Sequence, residues 1–390
     1  MIKKAHALFE DLVHWRRDIH THPELGFTER RTAELVAQEL EKMGYRVRRH
    51  VGKTGVVADL GSEENGRTIA IRADMDALPI LETTDHDYVS ITPGIMHACG
   101  HDSHTAMALG AAAILAREKF PGRVRFLFQP SEEMTDEEGL SGAPRMIADG
   151  ALDGVDMVIA QHVDPHVPVG TMGISAGPIS GGVDNWFGRI MGVGGHGAHP
   201  YLTVDPFNIL AHVIMALNGI ISRRIDPFQP VVISIGVVRG GFAENVIPEE
   251  VQISGTLRYA NPEQLPKIHE EIRRAFEISR SMGGNYDLRI EFDGIPGINH
   301  PAAAQLLREA GEKLIGAANT HPEAPTLGAE DFGVFCEKVP GAMFTLGTLI
   351  EGDERYLHHP RFDIDERALP LGTAILAEAV LKYLREDSAQ

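Results

Sequence analysis

The chain has 390 residues, with 55 acidic and 36 basic side chains and a formal charge of −19. This acidic balance argues against nucleic acid or an anionic membrane as a partner. The length favours two domains over one. Two cysteines cannot form a disulfide framework and fit a reducing compartment. No apolar run approaches the ~20 residues needed to span a bilayer, so we expect a cytoplasmic protein without a membrane partner.

The first half of the chain alternates predicted helices and strands. Apolar residues recur at helical spacing over 2–20, and 28–44 is a predicted helix that ends at Gly44. Further along, the pattern predicts buried strands at 54–61, 68–76, 123–130 and 156–162, and a helix of small residues at 103–118. This alternation is typical of an α/β domain with a largely parallel sheet.

A glycine-rich segment at 173–185 separates this half from a region in which the order of predicted elements is different. Beyond this segment, the order strand, helix, strand, strand, helix, strand over 185–294 predicts a ferredoxin-like α+β unit. The α/β pattern of the first half returns later, with a predicted strand at 342–348 and a final helix at 366–385. We therefore predict one α/β domain made of 1–181 and 297–390, interrupted by an inserted domain of 182–296.

Polar side chains follow the predicted strands, where open α/β sheets bind their ligands. After the strands come Asp74 and Asp76, then Ser131, Glu132 and Glu133, and then His162. The segment "HACGHDSH" adds His97, Cys99, His101 and His104, and the C-terminal stretch "YLHHP" adds His358 and His359. The pattern predicts that carboxylates, imidazoles and one thiol converge on one edge of the sheet.

This set of side chains indicates a metal centre. Thiolate, imidazole and carboxylate together suit zinc or another divalent transition metal better than calcium or magnesium. More than four candidate ligands indicate two ions, which could share a water, lower its pKa and polarise a carbonyl. Of the Glu132–Glu133 pair, one carboxylate could bind metal and its neighbour could act as the base. Cys99 as a nucleophile with His101 as base would leave the acidic pair without a role.

The stretch "GVGGHG" at 192–197 fits the dinucleotide-binding pattern literally. Such a fingerprint must open a helix directly, whereas "AHPYLTVDP" intervenes here. We therefore do not expect nucleotide binding. The glycines instead allow a sharp turn that carries His196 outward, and this histidine either serves a site or braces the turn.

Nine motifs, in order along nearly the whole chain, resemble one family. They are "RRDIHTHPELGFTE", "RADMDALPI", "MHACGHDSHTAMALGAA", "QPSEE", "GGHGAHP", "ENVIPE", "GTLRY", "GAEDFG" and "HHPRFDIDE". They resemble the amidohydrolase branch of the aminoacylase-like dinuclear metallopeptidases. The resemblance implies a zinc-aminopeptidase-like α/β catalytic domain with an inserted ferredoxin-like α+β lid domain.

The resemblance also implies roles for individual residues. The implied metal ligands are Cys99, His101, Glu133, His162 and His358. Glu132 resembles the family's general base and acid, and Asp76 its aspartate that orients a ligand or the bridging site. Asp74 stands where other branches have a histidine ligand, and we do not expect it to bind metal.

In the inserted domain, the resemblance implies a substrate-binding set. His196 matches the histidine that polarises the substrate carbonyl, often across a dimer interface. Asn245 and Arg258 match positions that hold the free carboxylate of the substrate. Arg258 could grip that carboxylate with two parallel hydrogen bonds. From the residues alone, Asn245 could equally be a turn residue and Arg258 a surface charge on a strand.

Two departures from the family pattern leave alternatives open. The doublet Glu137–Glu138 fits the downstream half of the pattern as well as Glu132–Glu133 fits the upstream half. We favour Glu132–Glu133 because they come directly off a strand end. The doublet His358–His359 replaces a single histidine, and spacing to Pro360 favours His358.

We therefore predict a metal-dependent amidohydrolase that cleaves N-acyl-L-amino acids, such as N-acetyl or N-benzoyl conjugates. Its cofactors would be two divalent transition-metal ions, zinc, manganese, cobalt or nickel, and its partner a small-molecule substrate. The alternatives are a carboxypeptidase or dipeptidase that acts on short peptides and a non-catalytic metal-binding relative. The resemblance further implies a homodimer or homotetramer.

Overall fold

The computed structural model describes residues 1–62, 64 and 66–385. The chain forms two compact units. The first contains Met1–Gly177, Ile298–Ala324 and the chain from Asp331 onward, and the second contains Pro178–Gly297 and Pro325–Glu330. The assignment of these parts to a catalytic domain of 1–181 and 297–390 and a lid domain of 182–296 stays a prediction, since it concerns their roles.

Helices and strands alternate along the first unit and again along the second. The elements up to the glycine-rich segment are α1 (Ile2–His6), α2 (Phe9–Thr21), α3 (Arg30–Lys42), β1 (Arg46–Val51), β2 (Gly55–Gly61), β3 (Thr68–Asp74), α4 (His101–Leu115), β4 (Arg123–Gln129), α5 (Gly142–Ala148), β5 (Met157–Pro168), β6 (Met172–Gly173) and β7 (Gly177–Pro178). The second unit contributes β8 (Gly182–Met191), β9 (Gly195–His196), α6 (Pro206–Arg223), β10 (Val231–Gly240), β11 (Val246–Ile247), β12 (Glu250–Tyr259), α7 (Leu265–Ser281) and β13 (Asn285–Gly294). The chain then adds β14 (Ile298–Asn299), α8 (Pro301–Ile315), β15 (Thr320–His321), α9 (Phe332–Cys336), β16 (Gly341–Leu349) and α10 (Leu369–Arg385).

The large sheet of the first unit runs in the order β1-β2-β4-β3-β5-β16-β6-β15. Its centre is parallel, because β3 pairs in parallel with β4 and β5, and β5 with β16. The strand β2 is antiparallel to both β1 and β4. The predicted α/β fold is confirmed, and the sheet is parallel at its centre rather than throughout.

Helix α4 lies at the centre of the first unit, with every one of its residues buried. Its sequence allows this because small side chains permit close packing. A Cβ atom at Gly110 would lie 2.5 Å from Leu12 Cδ2 of α2 and 2.9 Å from Thr373 Oγ1 of α10. The apolar cores on the two faces of the sheet hold this helix, and the strands beside it, in a rigid frame.

The second unit contains a sheet in the order β10-β12-β8-β13, with α6 and α7 packed on it. The chain order β8-α6-β10-β12-α7-β13 is the split βαβ order that the sequence predicts. Its core includes Trp186, Phe276 and Tyr259. Helix α6 begins where Asp205 accepts a hydrogen bond from the Phe207 amide and Pro206 occupies the first turn.

Two predictions about local structure need correction. The N-terminal helix is interrupted, since α1 ends at His6 and α2 begins at Phe9. Strand β5 continues to Pro168, so His162 lies inside this strand rather than at its end. Within the described residues, no helix is long and apolar enough to cross a membrane. The cytoplasmic location and the absence of a nucleic-acid partner stay predictions.

Candidate metal centre

The centre forms where two parallel strands end side by side. Strands β3 and β4 pair from Thr68 with Arg123 to Asp74 with Gln129, so the residues that follow them leave the sheet together. Strand β5 lies on the other side of β3 and carries His162 within the strand. The predicted convergence on one sheet edge therefore occurs.

Helix α4 begins at His101, directly after Cys99 and Gly100. Gly100 has a φ of +90°, and a Cβ atom there would lie 2.4 Å from Val163 Cγ2. Only glycine fits such a left-handed turn packed against a neighbouring strand. The turn places Cys99 and His101 at the buried end of α4, beside β5.

The first candidate group consists of Cys99, His101 and His162, each offering one atom within 4.8 Å of the others. Cys99 Sγ lies 3.5 Å from His162 Nε2. Two ligands of one tetrahedral zinc ion, with bonds of ~2.3 Å to sulfur and ~2.0 Å to nitrogen, would lie about 3.5 Å apart. His162 donates from Nδ1 to the Val163 carbonyl at 2.8 Å, so its Nε2 lone pair faces the thiol.

The second group consists of Cys99, Glu133 and His358 and meets the same limit of 4.8 Å. Glu133 Oε1 lies 3.0 Å from His358 Nε2 and 3.9 Å from His101 Nε2. This buried oxygen has no hydrogen-bond partner among the described residues. A carboxylate oxygen facing imidazole nitrogens without a hydrogen bond fits coordination of a cation between them.

Asp76 makes hydrogen bonds to two of the groups described above. His101 donates from Nδ1 to the backbone carbonyl of Asp76 at 2.9 Å, with Asp76 Oδ1 at 3.2 Å. The other carboxylate oxygen accepts from the Glu133 amide at 2.9 Å. A carboxylate behind a ligating histidine fixes its tautomer and its direction. This geometry supports an orienting role for Asp76.

Two nearby polar residues are already engaged. His104 donates from Nδ1 to Asp74 at 2.7 Å and accepts from the Val163 amide at Nε2, at 3.0 Å. Burial lowers the pKa of His104 to about 4, so this imidazole is neutral. Asp74 also pairs with Arg72 at 2.6 Å. Atoms of Asp74, His101 and His104 also lie within 4.8 Å of one another, so the expectation that Asp74 does not bind metal stays a prediction, while both nitrogens of His104 are engaged.

Glu132 is half-buried beside Glu133. One atom each of Glu132, Glu133 and His101 lies within 4.8 Å of the others. Glu132 Oε1 also lies 3.4 Å from the Asp331 amide, which donates to it. A carboxylate next to the metal groups but outside the two sets described above is suited to carry a proton.

The backbone is strained at two positions of the centre. Ser131 has a φ of +46° and His358 a φ of +58°, in the left-handed region that side chains with a Cβ disfavour. The amide of His358 donates to the Ala98 carbonyl at 2.7 Å, which ties His358 to the Cys99 segment. Such strain costs roughly 1–3 kcal/mol per residue and is concentrated at functional sites.

Burial and neighbouring groups shift the pKa values of two predicted ligands. Burial raises the pKa of the Cys99 thiol well above its usual range. Burial lowers the pKa of His101, but the negative charge of Asp74 and the hydrogen bond to Asp76 oppose it, and the pKa lies well above its usual value. A bound divalent ion would favour the thiolate form of Cys99.

The alternative residues, Glu137–Glu138 for the glutamate pair and His359 for the last histidine, are exposed or make other contacts. Glu137 is exposed, and Glu138 pairs with Arg145 at 2.8 Å. His359 Nδ1 accepts from the Arg361 amide at 3.2 Å, whereas His358 lies against Glu133. The geometry therefore favours Glu132–Glu133 and His358.

The second unit brings together two of its three predicted substrate residues. His196 on β9 pairs with Val246 on β11, and the Gly197 amide donates to the Asn245 carbonyl at 2.8 Å. His196 Nδ1 also accepts from the Ala198 amide at 3.0 Å, so this histidine braces its turn. The helix α6 begins only at Pro206, which agrees with the expectation that "GVGGHG" does not bind a nucleotide.

Arg258 lies on β12 of the four-stranded sheet, whereas His196 lies in the separate two-stranded sheet of β9 and β11. Arg258 pairs with Val183 near the start of β8, whereas Glu250 pairs with Met191 at the end of β8. At about 3.4 Å per residue, β12 spans about 27 Å between Glu250 and Arg258. Strand β11 precedes the Glu250 end of β12 in the chain, so Arg258 lies at the far end of β12 from the connection to β11.

Fold and site are together those of a metal-dependent hydrolase. The profile of peptidase family M20/M25/M40 matches residues 70–382, and the chain belongs to this family. N-acetyl-L-cysteine deacetylase of Bacillus subtilis is 38% identical, over 97% of this chain and 89% of its own length. Thermostable carboxypeptidase 1 of Saccharolobus solfataricus is 39% identical over 95% of both chains.

Two further comparisons concern catalysis and metal. N-acyl-L-amino acid amidohydrolase of Geobacillus stearothermophilus is 42% identical, over 74% of this chain and 78% of its own. A Bacillus subtilis crystal structure described as a dinuclear metal binding peptidase of the M20 family superposes with a TM-score of 0.85. It is 34% identical and covers 97% of this chain and 99% of that one. The chain is therefore a hydrolase of a family with dinuclear members.

Two acidic residues were not identified from the sequence, although they make hydrogen bonds and ion pairs to the segments around the centre. Glu29 accepts a hydrogen bond from the Ser131 amide, and Asp331 binds Gln129, Ser141 and Arg72. Both lie inside motifs that carry the family resemblance, "RRDIHTHPELGFTE" and "GAEDFG". An acidic residue that ends such a motif without a metal role is the signal that could have identified Glu29.

Proposed function

We propose that this protein is a metal-dependent amidohydrolase that cleaves N-acyl-L-amino acids to a carboxylic acid and a free amino acid. The observation that carries the proposal is the position of Glu132, a carboxylate beside Glu133 and His101. Relatives named an N-acetyl-L-cysteine deacetylase and an N-acyl-L-amino acid amidohydrolase support the acyl-amino-acid substrate class.

The donor set suits two divalent transition-metal ions, zinc, manganese, cobalt or nickel. The proposed ligands are Cys99, His101, Glu133, His162 and His358. Cys99 belongs to both candidate groups, and its thiolate would be one of the residues that hold the ions. When bound, such ions supply an acidified water and a Lewis acid for the amide carbonyl.

The protein's own groups then handle the proton. Glu132 accepts the proton of the attacking water and later delivers it to the leaving amine, which balances the hydrolysis. Asp76 keeps His101 in one tautomer and holds the Glu133 backbone through separate contacts. The Asp331 amide donates to Glu132 and limits the directions in which this carboxylate points.

In the second unit, His196 polarises the substrate carbonyl, while Asn245 and Arg258 bind the free carboxylate. Arg258 lies at the far end of β12 from its connection to β11, whose Val246 pairs with His196. We infer that one copy of this unit does not present all three residues to one substrate. We therefore assign them to a composite site in a homodimer or higher homo-oligomer. The exposed Val232, Val237 and Val238 on the edge strand β10 give a second copy an apolar edge.

A carboxypeptidase that acts on short peptides is the second candidate. The relative named thermostable carboxypeptidase 1, similar over 95% of both chains, favours it. Both reactions release an amino acid with a free carboxylate and use the same residues. A panel of N-acetyl and N-benzoyl amino acids beside matched dipeptides separates them by kcat/KM.

The experiment that tests the proposal compares the wild type with Glu132→Gln on N-acyl amino acids. The amide cannot accept a proton, so kcat should fall by about 10²–10⁴-fold, while elemental analysis finds the same metal content. Chelation should abolish wild-type activity, and added metal should restore it. A Glu132→Gln variant that loses metal would instead exchange the roles of Glu132 and Glu133, and activity that persists after complete metal removal would reject the proposal.

A further inference from the structure

We propose that Glu29 is a positioning residue for the catalytic loop, and that it acts through the peptide of Ser131. The inference rests on the proposed function, because it assumes that Glu132 is the base. Glu29 does not belong to either metal group and is fully buried beneath the loop.

The carboxyl group of Glu29 makes two hydrogen bonds. Oε1 accepts from the Ser131 amide at 2.7 Å, and Oε2 accepts from the Thr54 hydroxyl at 2.6 Å. Glu29 also precedes α3, and its carbonyl accepts from the Ala33 amide at 3.1 Å in the first turn of that helix. The side chain therefore links the rigid start of α3 to the loop after β4.

Ser131 needs such a link because its conformation is unfavourable. Its φ of +46° costs of order 1–3 kcal/mol in a residue other than glycine. Its carbonyl accepts from the Gly142 amide at 2.8 Å, and its hydroxyl donates to the Met134 carbonyl at 2.9 Å. With the bond to Glu29, every polar group of Ser131 is engaged, so the strained turn has one stable arrangement.

The turn sets the direction of Glu132. Glu133 has an anchor of its own, since its amide donates to Asp76. Glu132 directly follows Ser131, and its side chain leaves the chain at the angle that the strained peptide dictates. Loss of the Glu29 bond should therefore affect the base more than the metal ligand.

The role requires a hydrogen-bond acceptor of the right length rather than a negative charge. Burial, and then the nearby charge of Asp76, raise the pKa of Glu29 to about 7. In its neutral form the carboxyl still offers an oxygen to the Ser131 amide, as the amide of glutamine would. Aspartate retains the charge but is shorter by one methylene and does not reach the Ser131 amide without movement.

The test compares Glu29→Gln with Glu29→Asp. Since a displacement of ~1 Å near the chemistry can cost 10²-fold, we expect a kcat about 10–100-fold lower for Glu29→Asp and within about 3-fold of wild type for Glu29→Gln. KM and metal content should remain those of the wild type in both. The reverse order, with Asp active and Gln impaired, would show that the charge matters and would overturn the proposal. Loss of metal in Glu29→Asp would also overturn it.

A second readout does not depend on activity. Hydrogen exchange of the amides of residues 131 and 132 in metal-free protein should accelerate in Glu29→Asp and remain at the wild-type rate in Glu29→Gln. Glu24→Asp is the matched control, because the Glu24 carboxylate binds the amides of Arg31 and Thr32 in the same segment. Equal acceleration in this control, or no acceleration in Glu29→Asp, would overturn the proposal. An inactive wild type with the expected exchange pattern would reject only the proposed function.

Discussion

Cys99 is the side chain on which the two candidate metal groups converge. It is 7% exposed, and burial favours its neutral thiol. Its sulfur lies 3.5 Å from His162 Nε2, and the Glu133 carboxylate lies 3.0 Å from His358 Nε2. Divalent cations at the two groups would favour the thiolate form and give these side chains a shared charged partner.

The raised pKa of Glu29 predicts a pH-dependent contribution to stability. Its folded pKa of about 7 exceeds the ordinary value of 4.5, so its contribution is complete below pH 4.5 and is lost as the pH rises through 7. Glutamine has no such titration. The free energy of unfolding of the wild type, relative to Glu29→Gln, should therefore fall by about 3 kcal/mol between pH 4 and pH 8.

Urea unfolding of both metal-free proteins across this pH range measures the difference. Other titrating groups cancel, because the two chains differ at one position. A difference in unfolding free energy that stays constant with pH would mean that Glu29 titrates normally in the folded protein.

Chemical type narrowed the candidate ligands, because few side chains bind transition metals. The family resemblance then selected Cys99, His101, Glu133, His162 and His358 as the predicted ligands. Glu29 and Asp331 escaped prediction because the chemistry of a carboxylate that accepts backbone hydrogen bonds is not distinctive, and only the position of Glu29 at the end of a family motif could have drawn attention to it. Their roles depend on which amides the fold brings to them, and that is a tertiary property.

At the scale of elements, glycines determine how closely strands and side chains pack in the second unit. A Cβ atom at Gly255 of β12 would lie 1.8 Å from the Ser234 carbonyl oxygen and 2.5 Å from the Trp186 ring. Gly255→Ala should therefore destabilise this unit by about 1–3 kcal/mol or more through overpacking. Unfolding followed by Trp186 fluorescence, in a Trp15→Phe background, reports on this unit.

Gly236 on the neighbouring strand β10 offers a matched control. A Cβ atom there would meet nothing within 4 Å. Gly236→Ala should leave the unfolding midpoint near that of the parent. Equal midpoints for the Gly255 and Gly236 variants would contradict the packing described for β12.

Strong periodicity made most elements predictable, and its absence explains those that were missed. The buried strands β3 and β4 and the amphipathic α7 follow apolar patterns that one sequence displays. Strand β1 was missed because its residues, "RVRRHV", are mostly charged and exposed at a sheet edge. The antiparallel direction of β2 depends on its partner, which the local pattern does not encode.

At the scale of the whole molecule, a composite site predicts complementation between inactive chains. His196→Ala and Glu132→Gln should each be nearly inactive alone. If His196 serves the partner's centre, a mixed dimer contains one site with both residues intact. With random pairing in a twofold dimer, co-expression should restore about one quarter of the wild-type activity per chain.

Separately purified and unmixed variants are the control for this complementation. Activity of the co-expressed pair equal to the sum of the separate variants would place His196 in the same chain as the Glu132 that it assists. The composite site would then be rejected, whereas the metal centre itself would be unaffected.

The fold class could be predicted from the sequence, because the alternation of elements and the split βαβ order are global patterns. The placement of Arg258 and His196 in different sheets could not be predicted, because short motifs do not encode which strands pair. It follows from strand pairing, which places Arg258 beside Val183 on β8 and His196 beside Val246 on β11.

Anomalous X-ray scattering from crystals grown with excess zinc or manganese tests the central claim most directly. We predict two metal peaks per chain, one among Cys99, His101 and His162 and one among Cys99, Glu133 and His358. Elemental analysis of the same protein should give two ions per chain. Crystals with no metal peak beside Cys99, or with ions bound only elsewhere, would contradict the metal centre and the hydrolytic function built on it.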